Sequence, residues 1–231
     1  MTTNPNWIIK DRKITIALVG CGRISKNHLQ AIEQHKEHLT LVGLCDTDPA
    51  VLEKACSEYA VKGYSNLDGL LKYDSPDIVA LCTPSGLHPA QAIKVAQAGC
   101  HVLTEKPMAT RWSDGMAMVK ACDEAGVRLF VVKQNRLNAT LQLVKQALDK
   151  GRFGKIYMST INVFWTRSQE YYDQGGWRGS WELDGGAFMN QASHYVDLMH
   201  WLLGPVESVH AMMGTLERSI EAEDTGVMTL R

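Results

Sequence analysis

The segment Lys13–Ser25, which reads KITIALVGCGRIS, determines how the N-terminal half of this 231-residue chain folds. Residues 14–19 are apolar or β-branched, which is typical of a strand buried in a sheet. The Gly20-Cys21-Gly22 turn follows at once, and the residues from Ser25 onward have helical spacing. A strand that enters a helix through a glycine-rich turn is typical of a dinucleotide-binding unit.

The turn offers what a dinucleotide needs from a protein backbone. Gly20 permits a tight turn, Gly22 lets the backbone approach the pyrophosphate, and the helix N-terminus presents free N–H groups to phosphate oxygens. Ser25 stands where the fingerprint has its third glycine, and its small side chain still permits close packing of helix on strand. We therefore predict a dinucleotide site, with Arg23 and Ile24 among its contacts.

Asp46 indicates which dinucleotide is bound. It ends the second predicted strand, roughly 20 residues beyond the turn, where a carboxylate binds the adenosine ribose hydroxyls. The same carboxylate repels a 2′-phosphate, so we predict NAD as the cofactor. Arg23 or Lys26 could meet a phosphate instead, which keeps NADP open as an alternative.

The rest of the first half repeats the pattern of an apolar strand followed by a helix. The predicted strands are 13–19, 39–45, 77–82, 101–104 and 127–132, and the predicted helices are 25–37, 50–60, 89–98 and 113–125. Strands that are apolar throughout and alternate with helices indicate a doubly wound parallel sheet covered on both faces. We place this α/β Rossmann domain at residues 1–135.

The pattern changes to α+β after about residue 135, and we place a second domain at residues 136–231. Its predicted helices are 140–150 and 188–203, and its predicted strands are 156–165, 206–216 and 225–231. Partial alternation in these strands favours an open, mostly antiparallel sheet with one buried face. The chain ends inside the last predicted strand, so we expect a truncated sequence and an incomplete second domain.

Composition excludes several classes of function. A formal net charge of −1 gives no electrostatic basis for binding nucleic acid or an anionic membrane. No apolar run approaches the roughly 20 residues that span a bilayer, and residues 1–13 lack a signal-peptide pattern. The six cysteines are scattered and form no CxxC pair, which fits a reducing compartment. We expect a cytoplasmic protein.

Two segments follow predicted strands at the carboxyl edge, where α/β sheets bind ligands. One is Thr83-Pro84 with His88 four residues on, and the other is Glu105-Lys106-Pro107. A lysine that loses solvation at this edge acquires a lower pKa and can bind or deprotonate a substrate hydroxyl. A solvated loop lysine and an ordinary helix N-terminal histidine remain the alternatives for Lys106 and His88.

The predicted helix 188–203 carries a polar stripe on an otherwise apolar surface. At about 100° per residue, Asn190, His194, Asp197 and Trp201 fall on one line, and the helix has no Lys or Glu. Such a helix is expected to be buried with this line facing a site, with Asp197 able to orient the His194 imidazole. The alternative is that His194 is a hydrogen-bonded core histidine.

A metal site is the rival use of this stripe. His200 lies about 100° away from His194 and Asp197 around the helix, and no Cys/His cluster completes a ligand set. We predict no metal.

The segment 165–188 interleaves aromatic and basic side chains with five glycines. Glycine permits close backbone approach, and Arg167 or Arg178 can pair with a phosphate or a carboxylate. We interpret the segment as a loop that faces substrate and nicotinamide; packing in a core is the alternative. Its aromatic and basic members are Trp165, Arg167, Tyr171, Tyr172, Trp177, Arg178, Trp181 and Phe188.

Taken together, these motifs resemble the Gfo/Idh/MocA family of NAD(P)-dependent oxidoreductases, which act mostly on sugars and inositols. The resemblance rests on Gly20-x-Gly22-x-x-Ser25, Thr83-Pro84-x-x-x-His88, Ala98-Gly99-x-His101-Val102, Glu105-Lys106-Pro107 and Gly185-Gly186…His194-x-x-Asp197. It implies a Rossmann domain and an open-sheet domain that carries substrate contacts and usually the oligomer interface. It therefore implies a homo-oligomer, a tetramer or a dimer, and chains longer than this one.

Within the family, the stretch 167–194 is similar to a branch that oxidises the 3-hydroxyl of UDP-N-acetylglucosaminuronic acid (UDP-GlcNAcA) in lipopolysaccharide O-antigen synthesis. That branch is thought to recycle NADH with 2-oxoglutarate. Many members of the family have Asp four residues before the histidine, where this chain has Asn190, which weakens an Asp–His relay.

By position, the resemblance assigns three sets of residues. The implied catalytic pair is Lys106 and His194. The implied cofactor contacts are Gly20, Gly22, Arg23, Ile24, Asp46, Thr83, Pro84, His88, Glu105, Lys106, Trp177 and Arg178. The implied substrate contacts are Lys106, Arg167, Tyr171, Asn190 and His194.

Two other functions remain open at the level of sequence. One is an inositol or free-sugar dehydrogenase of the same family. The other is a dinucleotide-binding sensor without turnover.

Overall fold

The computed structural model describes residue 9 and residues 11–231. The prediction that the N-terminus carries no signal pattern falls largely outside these residues. The described chain divides into two compact units, one that ends at Val131 and one that runs from Val132 to Arg231.

The first unit is built on a six-stranded sheet in which every pairing is parallel. Its strands are β1 (Ile14–Val19), β2 (Leu39–Cys45), β3 (Lys62–Tyr64), β4 (Ile78–Leu81), β5 (His101–Thr104) and β6 (Leu129–Val131). Its helices are α1 (Ser25–Gln34), α2 (Pro49–Tyr59), α3 (Leu67–Asp74), α4 (His88–Gln97) and α5 (Trp112–Ala125). The strand order β3-β2-β1-β4-β5-β6 confirms the doubly wound prediction.

The two faces of the sheet carry separate cores. In β1, Ala17 and Val19 belong to the core that packs α4 and α5, whereas Ile16 and Leu18 belong to the core that packs α1. Because both faces are covered, the strands are apolar at most positions, and full burial of each large side chain contributes about 1.5–3 kcal/mol. This double burial is the physical basis of the pattern seen in the sequence.

The chain order reverses between β1 and β4. Strands β2 and β3 lie on one side of this pair, and strands β5 and β6 lie on the other. At such a switch point the loops after neighbouring strands diverge and leave a crevice at the carboxyl edge. The glycine-rich turn after β1 and the Thr83-Pro84 segment after β4 border this crevice.

The second unit contains three helices and an antiparallel hairpin. Its elements are α6 (Ala139–Asp149), α7 (Gln169–Asp173), a π-helical segment (Phe188–Ala192) that continues into α8 (Ser193–Leu203), β7 (Val209–Gly214) and β8 (Thr225–Leu230). The small antiparallel sheet agrees with the predicted α+β character.

Two sequence-based expectations for this unit were wrong. The stretch 156–165 is not a strand: no strand among the described residues pairs with it, and most of its side chains are exposed. A β-strand needs a hydrogen-bonded partner, which alternation in a single stretch does not reveal. The helix expected at 188–203 is α-helical only from Ser193, because its first five residues form the π segment.

Asp77 ties the start of β4 to β1 and makes the first unit sensitive to acid. Its carboxylate accepts hydrogen bonds from the Thr15 N–H and hydroxyl, each at 2.8 Å, and pairs with the Arg12 guanidinium. These donors, the guanidinium first, hold the pKa of Asp77 well below its usual range. Because the folded pKa is the lower one, the stabilisation is complete above about pH 4, the range of an unfolded Asp, and is lost as pH falls further.

We expect Asp77→Asn to lower stability at pH 7 and to flatten the acid branch of the pH–stability curve. Replacing charge-assisted bonds from Thr15 with neutral ones costs about 1 kcal/mol of unfolding free energy. Urea unfolding between pH 2 and pH 7 measures both effects. Asp68→Asn is the control, because Asp68 pairs with Lys94 at an exposed site. An Asp77→Asn curve parallel to that of the unaltered protein contradicts the assignment.

Candidate active site

The glycine-rich turn is pressed against the end of β4. Gly20 has φ +91°, and a Cβ atom there would lie 2.8 Å from the backbone carbon and oxygen of Cys82. Its N–H donates to the Cys45 carbonyl at 2.8 Å. The turn therefore accepts only glycine at position 20, whereas a Cβ at Gly22 meets nothing within 4 Å and would extend into open space. That open space is where a dinucleotide would approach the backbone.

Asp46 is fixed at the rim of the turn. One carboxylate oxygen accepts the Cys21 N–H at 2.7 Å, and the other accepts the Asp48 N–H at 2.9 Å. Ser25 is buried in the first turn of α1, and its hydroxyl donates to the Gly22 carbonyl at 2.6 Å. The serine thus closes the turn internally, which explains how the chain does without a third glycine.

His88 joins the two loops that follow β4 and β5. Its side chain is 1% exposed, with Nε2 2.9 Å from the Thr83 carbonyl oxygen and Nδ1 3.0 Å from the Pro107 carbonyl oxygen. Burial lowers its pKa. Both ring nitrogens face backbone oxygens, so the structure gives His88 the geometry of a bridge between loops, and its direct contact with cofactor stays a prediction.

Glu105 and His28 fix the segment that carries Lys106. His28 lies on α1, and its Nε2 is 2.8 Å from a carboxylate oxygen of the buried Glu105. The other oxygen accepts the Lys106 N–H at 3.2 Å. The half-buried Lys106 is thereby tied to the helix that follows the glycine-rich turn. Sequence reasoning missed His28, because its partner lies 77 residues away.

In the second unit, His194 is buried in the first turn of α8. Asp197, one turn on, accepts hydrogen bonds from Arg136 on both carboxylate oxygens, at 2.6 and 2.8 Å. The Asp197 carboxylate is therefore engaged by the guanidinium in a bidentate pair, and its orienting of the His194 imidazole stays a prediction. Arg136 also lies over the Trp201 ring, 5.9 Å from its centroid.

The π segment before His194 is anchored to two buried acids. The Asn190 amide donates to Asp184, which also accepts the Gly179 N–H at 2.8 Å. Glu223 accepts the Phe188 N–H at 2.8 Å, and burial raises the pKa of its carboxyl. Asn190 lies in the π segment, so the spacing of 100° per residue does not apply between it and His194. Its contact with substrate stays a prediction.

Two arginines of the segment 165–188 flank one tyrosine. The guanidinium carbons of Arg167 and Arg178 lie 4.9 and 4.5 Å from the centroid of the Tyr171 ring. Arg167 lies 4.2 Å from the centroid of Trp165, and Arg178 lies 5.4 Å from that of Trp177. We call these five residues the arginine–aromatic cluster. It brings together two cations and flat apolar surfaces, a combination that suits phosphate groups and an aromatic base.

A family described as an oxidoreductase family with an NAD-binding Rossmann fold matches residues 14–133, and the Gfo/Idh/MocA C-terminal domain matches residues 141–231. The chain belongs to the Gfo/Idh/MocA family. Its first unit is the NAD-binding domain of that family, which confirms the resemblance and the cofactor predicted from the glycine-rich turn and Asp46. The two family matches together span both units of the chain.

Two solved structures are similar along nearly the whole chain. The WlbA dehydrogenase of Bordetella pertussis, in complex with NADH and UDP-GlcNAcA, is 66% identical with a TM-score of 0.95 over 97% of this chain. The WlbA dehydrogenase of Chromobacterium violaceum, with the same two ligands, is 60% identical with a TM-score of 0.95 over 96% of this chain. The D-apiose dehydrogenase of Paraburkholderia graminis is 29% identical over 93% of this chain.

The chain spans only part of the length of these similar proteins. It covers 65% of each WlbA chain and 56% of the D-apiose dehydrogenase. Within residues 9 and 11–231, no helix is long and apolar enough to cross a membrane. The same residues contain no group of three or more His, Cys, Asp and Glu side chains placed to hold a metal ion.

Proposed function

We propose that this protein oxidises the C3 hydroxyl of UDP-GlcNAcA to the 3-keto sugar nucleotide with NAD⁺. The observation that carries the proposal is the 66% identity to a WlbA dehydrogenase that holds NADH and UDP-GlcNAcA. In the reaction, C3 loses a hydride and the hydroxyl loses a proton, so the C3–O bond becomes a carbonyl. NAD⁺ supplies the hydride acceptor. A role in lipopolysaccharide O-antigen synthesis follows from the same likeness.

Lys106 and His194 are proposed as the catalytic pair. The ammonium of Lys106 stabilises the alkoxide that develops on O3, and either side chain can take the hydroxyl proton. His28 and Glu105 hold the backbone at Lys106, and the π segment leads directly into the turn that carries His194. Both groups thus belong to rigid elements, as proton transfer requires.

The remaining contacts divide between the two ligands. Gly20, Gly22 and Asp46 fit the pyrophosphate and ribose of NAD, and further contacts are proposed for Arg23, Ile24, Thr83 and Pro84. The arginine–aromatic cluster is proposed to face the nicotinamide through Trp177 and Arg178, and to receive the UDP-sugar through Arg167 and Tyr171. The cluster suits a diphosphate because guanidinium groups bind phosphate oxygens in pairs.

Several broader properties are proposed with this activity. The domain boundary near residue 135 is supported by the division after Val131 and by the family matches, which end at 133 and resume at 141. A cytoplasmic location, a homo-oligomer and the recycling of NADH by 2-oxoglutarate complete the proposal.

The test is a turnover assay on the full-length protein with UDP-GlcNAcA and NAD⁺. We expect absorbance of reduced nicotinamide to rise when the sugar is added and to fall when 2-oxoglutarate follows. UDP should inhibit, because the nucleotide provides part of the binding energy. NAD binding without turnover of the UDP-sugar would contradict the proposal, and turnover of inositols or free sugars that UDP does not inhibit would favour the alternative dehydrogenase. Dinucleotide affinity with no redox change for any of them would favour a sensor.

A further inference from the structure

Lys133 lies beside the ion pair that follows His194. Its ammonium nitrogen is 3.9 Å from a carboxylate oxygen of Asp197, too far for a hydrogen bond. Arg136 already occupies both oxygens of this carboxylate at 2.6 and 2.8 Å. Lys133 is therefore the second cation at a carboxylate that is already paired.

This arrangement leaves a partly buried positive charge. The Lys133 side chain is 27% exposed, and no hydrogen bond from its ammonium group to the described residues is present. Burial lowers its pKa, while the charge of Asp197 acts in the opposite direction. Two cations face one carboxylate, so the cluster of Lys133, Arg136 and Asp197 has a net charge of +1. A cation partly removed from water is stabilised by an anion that completes its hydrogen bonds.

The cluster lies one helical turn from the proposed catalytic histidine. Asp197 follows His194 by three residues on α8, about 4.5 Å along the helix axis. A pyranuronate has a comparable span between its O3 hydroxyl and its C6 carboxylate. A sugar that presents O3 to His194 can therefore direct its carboxylate toward Lys133.

We propose that Lys133 binds the C6 carboxylate of the uronate and so selects the acidic sugar over its uncharged counterpart. The inference rests on the proposed function and adds the residue that recognises the acid. Under this proposal the two anionic groups of the substrate bind at different places. The diphosphate binds at the arginine–aromatic cluster, and the carboxylate binds at Lys133.

The test compares two ligands that differ only at C6, UDP-GlcNAcA and UDP-N-acetylglucosamine. Their dissociation constants are measured by calorimetry on the full-length protein saturated with NADH. We expect Lys133→Met to weaken binding of the acid by about 10- to 100-fold, the effect of losing a charge-assisted hydrogen bond, and that of the neutral sugar by less than about threefold. Lys133→Arg should retain most of the preference. Lys150→Met, at an exposed lysine of the same unit, is the matched control.

The possible outcomes distinguish failure of this inference from failure of the proposed function. An unchanged ratio of the two dissociation constants in Lys133→Met overturns the role of Lys133, as does an equal loss for both sugars, which indicates a structural effect through Asp197. If the unaltered protein neither binds nor oxidises UDP-GlcNAcA, the proposed function itself fails. The inference is supported if the two sugars have similar dissociation constants in Lys133→Met while its affinity for NADH is normal.

Discussion

Replacing Lys106 by methionine is expected to lower kcat for UDP-GlcNAcA by about 10³-fold or more while the affinity for NAD⁺ changes little. Methionine keeps the length and packing of the side chain but removes the positive charge next to the developing alkoxide. The fold should tolerate the change, because the Glu105 carboxylate holds the backbone N–H of residue 106. Stopped-flow measurement of a single turnover isolates the chemical step.

His194→Gln is the companion variant that decides which group takes the proton. If His194 is the base, this variant loses the rise of kcat with pH that reflects ionisation of an imidazole, whereas Lys106→Met keeps it at a lower level. If Lys106 is the base, Lys106→Met loses the rise of kcat with pH and His194→Gln keeps it. Turnover by Lys106→Met within threefold of the unaltered protein would remove Lys106 from the mechanism.

Gly20→Ala is expected to destabilise the first unit by more than about 3 kcal/mol. The new Cβ would lie 2.8 Å from backbone atoms of Cys82 and 2.9 Å from the Thr83 nitrogen, and a φ of +91° is strained for any L-residue. Because the neighbours are backbone atoms of a buried strand end, they cannot move aside. Thermal unfolding of the variant measures the loss.

Gly22→Ala provides the matched control in the same turn. A Cβ at position 22 meets nothing within 4 Å, so stability should remain within about 0.5 kcal/mol. The added methyl group would instead occupy the approach to the pyrophosphate, and we expect the affinity for NAD⁺ to fall by at least about tenfold. Equal stability of the two variants would contradict the packing argument, and unimpaired NAD⁺ binding by Gly22→Ala would place the pyrophosphate elsewhere.

The first unit was predictable because each of its principal signals is local. Apolar strands, helix caps and the glycine-rich turn lie within short windows, so strand β1, its turn and Asp46 could be identified before any contact was known. The short strand β3 and helix α3 were missed, since β3 has three residues and includes a glycine. The second unit was harder, because alternation at 156–165 does not show whether a partner strand exists.

The site was predictable only where a residue carries its own motif. Lys106 and His194 stand in recognisable contexts, whereas His28, Lys133 and Arg136 gain their significance from partners 61 to 77 residues away. Glu223 similarly acts on an N–H group 35 residues earlier. Periodicity also assumed an unbroken α-helix, an assumption that does not hold for the π segment at 188–192.

The bridge made by His88 has a consequence for how the two strand-end loops are held. A neutral imidazole carries one N–H, yet both of its nitrogens face carbonyl oxygens, at 2.9 and 3.0 Å. Burial lowers the pKa of His88, which favours the neutral ring. The loops therefore share a single proton, and the choice of tautomer decides whether the loop at Thr83 or the loop at Pro107 is the one held by a hydrogen bond.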